Sequence, residues 1–226
     1  MTNTLHRFGS ADSFADDYIV FAITCRGKND EGALEKLRTF LKMAVPYGPV
    51  NLGDARHGGS LRPLVEMNPT AHWNRDMKPN FEQVIDGLKH ITTAAAVFDD
   101  RVKAMDFFKA VKEADLGLSV NISTSVDAAE QICNNACQPR HSVGYSLGFE
   151  GKTERLPNEQ VLALSTMCGH GMVAHSLARK MVDWVKEGRR TPQEAATYMQ
   201  RFCSCGVFNP TRAARILSDA GSGKQR

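Results

Sequence analysis

The chain has 226 residues, of which 42% are hydrophobic and 23% are charged. This length is sufficient to bury a large apolar core without disulfides, and the balance of apolar and charged residues excludes a disordered or fibrous protein. Lysine and arginine outnumber the acidic residues by 28 to 25, which gives a net charge of +3. Because the basic residues are scattered along the chain, we expect no nucleic-acid partner.

The N-terminal residues contain no basic run followed by an apolar stretch, and no segment approaches the roughly 20 apolar residues that a membrane helix requires. We therefore expect a cytoplasmic protein without a membrane partner. The chain contains six cysteines. In a reducing compartment, cysteines indicate metal binding, catalysis or burial rather than a disulfide framework.

The first 150 residues alternate between strand and helix patterns. A continuous apolar run over residues 18–25 predicts a buried strand, and helical spacing follows until Pro46. A further apolar segment occupies 94–98, and strands are predicted at 116–122 and 143–149 with helical patterns between them. This β-α-β-α-β order predicts an α/β fold with a mixed or largely parallel sheet, in which ligands bind beyond the carboxyl ends of the strands.

Two regions depart from the alternation of strands and helices. Prolines and glycines interrupt residues 46–80, which predicts a long loop that is either functional or mobile. The alternative is that this segment contains short strands. After Gly151 the strand patterns stop, and a C-terminal helical region begins. We divide the chain into an α/β domain at 1–150 and a helical region at 151–226, which is either a second unit or the continuation of one domain. The predicted helices of this region are 158–166, 171–187, 192–203 and 210–218.

The start of the third of these helices is the best-specified boundary in the chain. Thr191 is a residue type that caps helices, Pro192 occupies the first helical position and Glu194 the third. Together they predict a capping box, with the helix beginning at Pro192.

Four candidate metal ligands lie in two short glycine-flanked turns of the helical region. Cys168 and His170 come just before one predicted helix, and Cys203 and Cys205 end another. Because residues two apart point to different sides of a helix, the second pair converges only if that helix ends between them, which Gly206 favours. These four residues predict a metal site, either an iron-sulfur cluster held by the three cysteines or, as the alternative, a zinc ion.

The leading functional hypothesis is a metalloenzyme of the lyase or sulfur-transfer type. It would act on a small anionic molecule by elimination, hydration or sulfur chemistry. His170 would serve as the fourth ligand or as an acid-base group, and Cys25, which is flanked by cations, is a second catalytic candidate. Guanidinium and imidazole groups suit a carboxylate or a phosphate. The candidate substrate-binding residues are Arg56, His57 and Arg62.

Two other classes remain open on the sequence. One is a zinc-stabilised, non-catalytic interaction module, and the other is a thiol-disulfide redox protein that uses Cys203 and Cys205. Residues 144–148 also match the nucleophile elbow of esterases, but strand-like alternation continues through Ser146 and no helix pattern follows. We therefore assign no esterase activity.

Overall fold

The computed structural model describes residues 6–61, 78–203 and 205–222. These residues form four strands and eight α-helices. The strands are β1 (Tyr18–Ile23), β2 (Asn51–Asp54), β3 (Ala94–Phe98) and β4 (Ser119–Ser123). The helices are α1 (Ala33–Ala44), α2 (Phe81–Asp86), α3 (Arg101–Ala114), α4 (Val126–Asn135), α5 (Glu159–Ser165), α6 (His175–Lys186), α7 (Pro192–Gln200) and α8 (Pro210–Gly221).

All pairs of neighbouring strands are antiparallel, in the order β2-β3-β1-β4. The predicted α/β fold with a mixed or largely parallel sheet is therefore wrong. The reason is that β3 lies between β1 and β2, and β1 lies between β3 and β4. The connections β1-α1-β2 and β3-α3-β4 each skip one strand, as in the split β-α-β motif, so the strands that they join do not pair. Strands β2 and β3, which follow each other in the chain, are neighbours and pair antiparallel. Helical spacing between two strands does not reveal that a third strand separates them.

Two segments of the sheet region also differ from the prediction. Strand β2 lies inside the predicted loop 46–80. It was not predicted because its residues, Asn-Leu-Gly-Asp, carry no strand pattern. Conversely, residues 143–149 alternate like a strand but form no regular element. A strand needs a pairing partner, and no strand within the described residues pairs with this segment.

The sheet is covered on both faces, which explains the continuous apolar run of β1. Val20 belongs to the core that the sheet shares with α1 and α3. Ile19 and Phe21 point to the opposite face and join the core of the C-terminal helices α5 to α8. Among the described residues, no helix is both long and apolar enough to cross a bilayer.

The capping box at the start of α7 is confirmed. The hydroxyl of Thr191 accepts a hydrogen bond from the backbone N–H of Glu194 at 3.2 Å, and the Glu194 carboxylate accepts one from the backbone N–H of Thr191 at 3.0 Å. These two bonds satisfy N–H groups that have no partner inside the helix, so this boundary is defined by neighbouring residues alone.

Candidate metal centre

Two connections of the helical region bring a group of metal-ligating side chains together. The ligand atoms of Cys168, His170 and Cys205 all lie within 4.8 Å of one another, so these residues can hold a metal ion. The Sγ atom of Cys203 lies 3.2 Å from that of Cys205, and the Cys203 side chain also hydrogen bonds with Cys168. The three thiols are buried and the imidazole is half-buried. The four residues predicted as ligands are thus neighbours in space.

The local sequence shapes both connections through glycines. Between α5 and α6, Gly169 and Gly171 have φ angles of 82° and 65°, which turn the chain sharply around His170. After α7, which ends at Gln200, Gly206 has a φ angle of 75°. Because the helix ends before its two cysteines, their side chains are not held on opposite sides of a helix and can converge.

The three thiols form one hydrogen-bonded system. Hydrogen bonds from Cys203 and Cys205 hold the pKa of Cys168 well below its usual range. The same bonds favour the protonated form of the other two residues: the hydrogen bond with Cys168 raises the pKa of Cys205 to about 12 and places the pKa of Cys203 well above its ordinary value. The shared hydrogen bonds therefore favour ionisation of Cys168 over that of its two neighbours. A cation that displaced the remaining protons would gain three thiolate ligands.

The imidazole of His170 fits the donor set of a metal site. Its Nδ1 atom is buried and has no hydrogen-bond partner within the described residues. A buried polar atom without a partner costs about 1–3 kcal/mol. A metal ion bound by the thiolates would give this nitrogen the partner that the protein does not supply.

Strand β2 packs against the α7–α8 connection, which carries Cys203 and Cys205. A Cβ atom built on Gly206 would lie 2.6 Å from the Cα atom of Gly53 in β2 and 3.0 Å from the carbonyl of Gly58. Backbone therefore lies directly on backbone, and only glycine fits at this contact. Gly58 and Gly59, in the turn that follows β2, are buried and pack against Gly206, next to Cys205.

A buried network of hydrogen bonds holds both ends of the α7–α8 connection. The side chain of Asn51 in β2 donates a hydrogen bond to the carbonyl of Phe208 at 2.9 Å and accepts one from the hydroxyl of Ser60, also at 2.9 Å. Gln200, the last residue of α7, donates to the same hydroxyl at 3.5 Å. Sequence reasoning missed these residues, since a lone asparagine and a lone serine in an irregular segment carry no pattern.

We expect Gly206→Ala to lower the free energy of unfolding by about 2–4 kcal/mol, because the new methyl group meets the backbone of β2 and the residue must keep a left-handed conformation. Gly188→Ala is the matched control: its φ angle is 69°, but open space surrounds the added Cβ, so we expect a cost of about 1 kcal/mol. Urea unfolding measures both values. Equal losses in the two variants would contradict a tight contact between Gly206 and β2.

The first cysteine connection is held by a buried ionic group, the Asp17 cluster, which consists of Arg7, Asp17 and Arg212. Both arginines donate to the Asp17 carboxylate and stack on the ring of Phe14. The Nε atom of Arg7 donates to the carbonyl of Met167 at 3.0 Å, directly before the first cysteine of the site. Burial lowers the pKa of Arg212 to about 10, so the group is still a cation at neutral pH.

The other predicted site residues lie outside the thiol group. Cys25 lies in the exposed turn after β1 and is not among the grouped metal-ligating residues. Arg56 is exposed, and His57 is held by the buried carboxylate of Asp54, whose Oδ1 atom lies 3.0 Å from Nδ1 of the imidazole. Arg62 lies outside the described residues. The structure thus places Arg56 and His57 on the turn that packs against Gly206.

The fold and the site define an antiparallel α+β protein with a buried cysteine-rich group that can hold a metal. Comparisons with protein-family models, with curated proteins and with solved structures find no match.

Proposed function

We propose that this protein binds one tetrahedral metal ion, zinc, through Cys168, His170, Cys203 and Cys205. The compactness of the ligand group carries this proposal: three ligand atoms lie within 4.8 Å of one another and the fourth lies 3.2 Å from one of them. Zinc-sulfur bonds of about 2.3 Å in a tetrahedron place two sulfurs about 3.8 Å apart. The thiols of Cys203 and Cys205 would separate by about half an ångström to accept the ion.

The same separation makes a single ion a better occupant than an iron-sulfur cluster. In a four-iron cluster each cysteine binds a different iron atom, so the sulfurs spread around a larger body. Two cysteine sulfurs at 3.2 Å suit a shared ion instead. We therefore favour zinc, the alternative that the sequence left open, over the iron-sulfur centre.

Burial favours a structural role for the ion. The cysteines are 1% (Cys168), 4% (Cys203) and 5% (Cys205) exposed, which leaves little access to the metal on the thiolate side. Four protein ligands and no open position are typical of structural zinc. Such an ion would cross-link the α5–α6 connection to the α7–α8 connection and thereby stabilise the helical region.

A catalytic ion is the second candidate, and one observation favours it. The grouped residues Cys168, His170 and Cys205 match the two-cysteine, one-histidine set of some catalytic zinc sites, in which water or substrate takes the fourth position. In that case Cys203 would not be a ligand. The turn with Arg56 and His57, packed on the same connection, would bind a small anionic substrate.

The test is metal analysis with an absorption spectrum of protein purified without oxygen, followed by chelation. We expect about one equivalent of zinc, no colour, and a lower melting temperature after chelation, because a structural ion contributes its binding free energy to folding. Brown protein that contains iron and labile sulfide would contradict the single zinc ion and show an iron-sulfur cluster instead. Metal-free protein with a reducible Cys203–Cys205 disulfide would contradict metal binding and favour a thiol-disulfide redox function.

A further inference from the structure

Residues 141–150, here called the arm, expose an unusual amount of apolar surface. Every residue of the arm is exposed, and four large apolar side chains occupy alternate positions. Their exposed fractions are 50% for Val143, 68% for Tyr145, 87% for Leu147 and 43% for Phe149. Alternation of this kind is typical of a strand, yet the arm has no regular structure. The arm therefore has the sequence of a strand without the pairing that a strand needs.

Strand β4 offers the complementary feature. It is an edge strand that pairs with β1 on one side, and no strand within the described residues pairs with its other side. An edge strand presents a row of backbone N–H and C=O groups that can pair with another chain. At the end of β4 the carbonyl of Ser123 already accepts a hydrogen bond from Arg7 at 2.9 Å, so the pairing would involve the preceding residues of the strand. In β4 Ser119 is exposed and the other four residues are partly buried, whereas almost all residues of the other three strands are buried.

The arm does not fill the edge of its own molecule. A cleft of about 1260 Å³ is lined by both β4 and the arm. Both ends of the arm contact other parts of the chain: next to its start Arg140 forms an ion pair with Glu130 at 3.1 Å, and at its other end the rings of Phe149 and Phe8 lie 6.1 Å apart.

We propose that the arm pairs with β4 of a second copy of this chain, and that the second copy returns the same contact. Each copy carries both the strand donor and the strand acceptor, which is the condition for a closed two-fold dimer by β-strand addition. Neither β4 nor residues 142–149 contain a charged side chain, so two copies meet without like-charge repulsion.

The surface available is sufficient for such a dimer. Each arm contributes the exposed 68% of Tyr145 and 43% of Phe149, out of the about 150–250 Å² that a fully covered aromatic side chain buries. Two arms, with Val143 and Leu147 and the strand edges that they cover, reach the range of about 1,200–2,000 Å² that stable interfaces bury.

Sedimentation equilibrium of the full chain is the first test. We expect a dimer, and we expect Leu147→Asp to raise its dissociation constant at least about 100-fold, because each of the two arms loses a buried leucine and gains a charge. Leu147 is 87% exposed in one copy, so this variant should fold normally, as circular dichroism would show. Val102→Asp is the control, since Val102 is 55% exposed on α3, outside the arm. It should leave the dimer unchanged.

Photo-crosslinking then identifies the contact. Benzoylphenylalanine is placed at position 145 of ¹⁵N-labelled protein, which is then mixed with unlabelled protein. Irradiation should yield cross-linked peptides that join the arm of a labelled chain to residues 119–123 of an unlabelled chain. A monomer at all concentrations, a dimer that resists Leu147→Asp, or cross-links to β4 within one copy only would each overturn the proposal.

Discussion

Replacing either Cys168 or Cys205 by alanine is expected to abolish metal retention. Each variant removes one thiolate from a group whose ligand atoms lie within 4.8 Å of one another, and the remaining ligands cannot complete a tetrahedron. Metal content after dialysis against a chelator should fall from about one equivalent to near zero. The melting temperature of both variants should fall to that of the chelated wild-type protein, because the loss of metal and the loss of its folding free energy are one event.

The control for these variants is Cys133→Ala. Cys133 is also buried, but it packs in the core on the opposite face of the sheet, so the substitution should leave the metal content unchanged. Full metal occupancy in the Cys168 or Cys205 variant would contradict the proposed site.

Cys203→Ala distinguishes the two roles proposed for the ion. If Cys203 is the fourth ligand, the variant should weaken metal binding and alter the absorption bands of cobalt(II) substituted for zinc. Unchanged affinity and an unchanged cobalt spectrum would show that Cys203 is not a ligand, and would favour the catalytic site with an open fourth position.

Asp17→Asn is expected to lower the free energy of unfolding by about 3–5 kcal/mol. Asp17 and Arg212 are fully buried, and the Asp17 carboxylate is the anionic partner of both arginines in the cluster. Removing that charge leaves two guanidiniums in the interior without a counter-charge. Urea unfolding of the chelated proteins measures the loss independently of the metal. Because Arg7 also holds the carbonyl of Met167, the same variant should weaken zinc binding.

The neighbouring Asp16→Asn variant provides the comparison. Asp16 pairs with Arg215 at 2.6 Å, but both side chains are partly exposed, so we expect a cost of only about 1 kcal/mol. Similar costs for the two variants would show that the Asp17 cluster contributes no more than a surface ion pair.

The ligands of the candidate site were predictable from the sequence because their chemistry is local. A Cys-x-His turn and a Cys-x-Cys turn, each next to a glycine, are visible as patterns of a few residues. Their supports were not predictable. Asn51 and Gly53 belong to a strand with no strand pattern, and Arg7 reaches Met167 across 160 positions of the chain. No short window of sequence contains both partners of such contacts.

The sequence by itself determined the buried strand β1, the capped start of α7 at Thr191 and the identity of the four candidate ligands, since each depends on residues close together in the chain. Only the tertiary structure decided the strand order, which places β3 between β1 and β2 and makes the sheet antiparallel. It also decided that the two ligand turns meet. Strand pairing and the convergence of loops depend on contacts between distant segments, whose free energy is not encoded in any single local pattern.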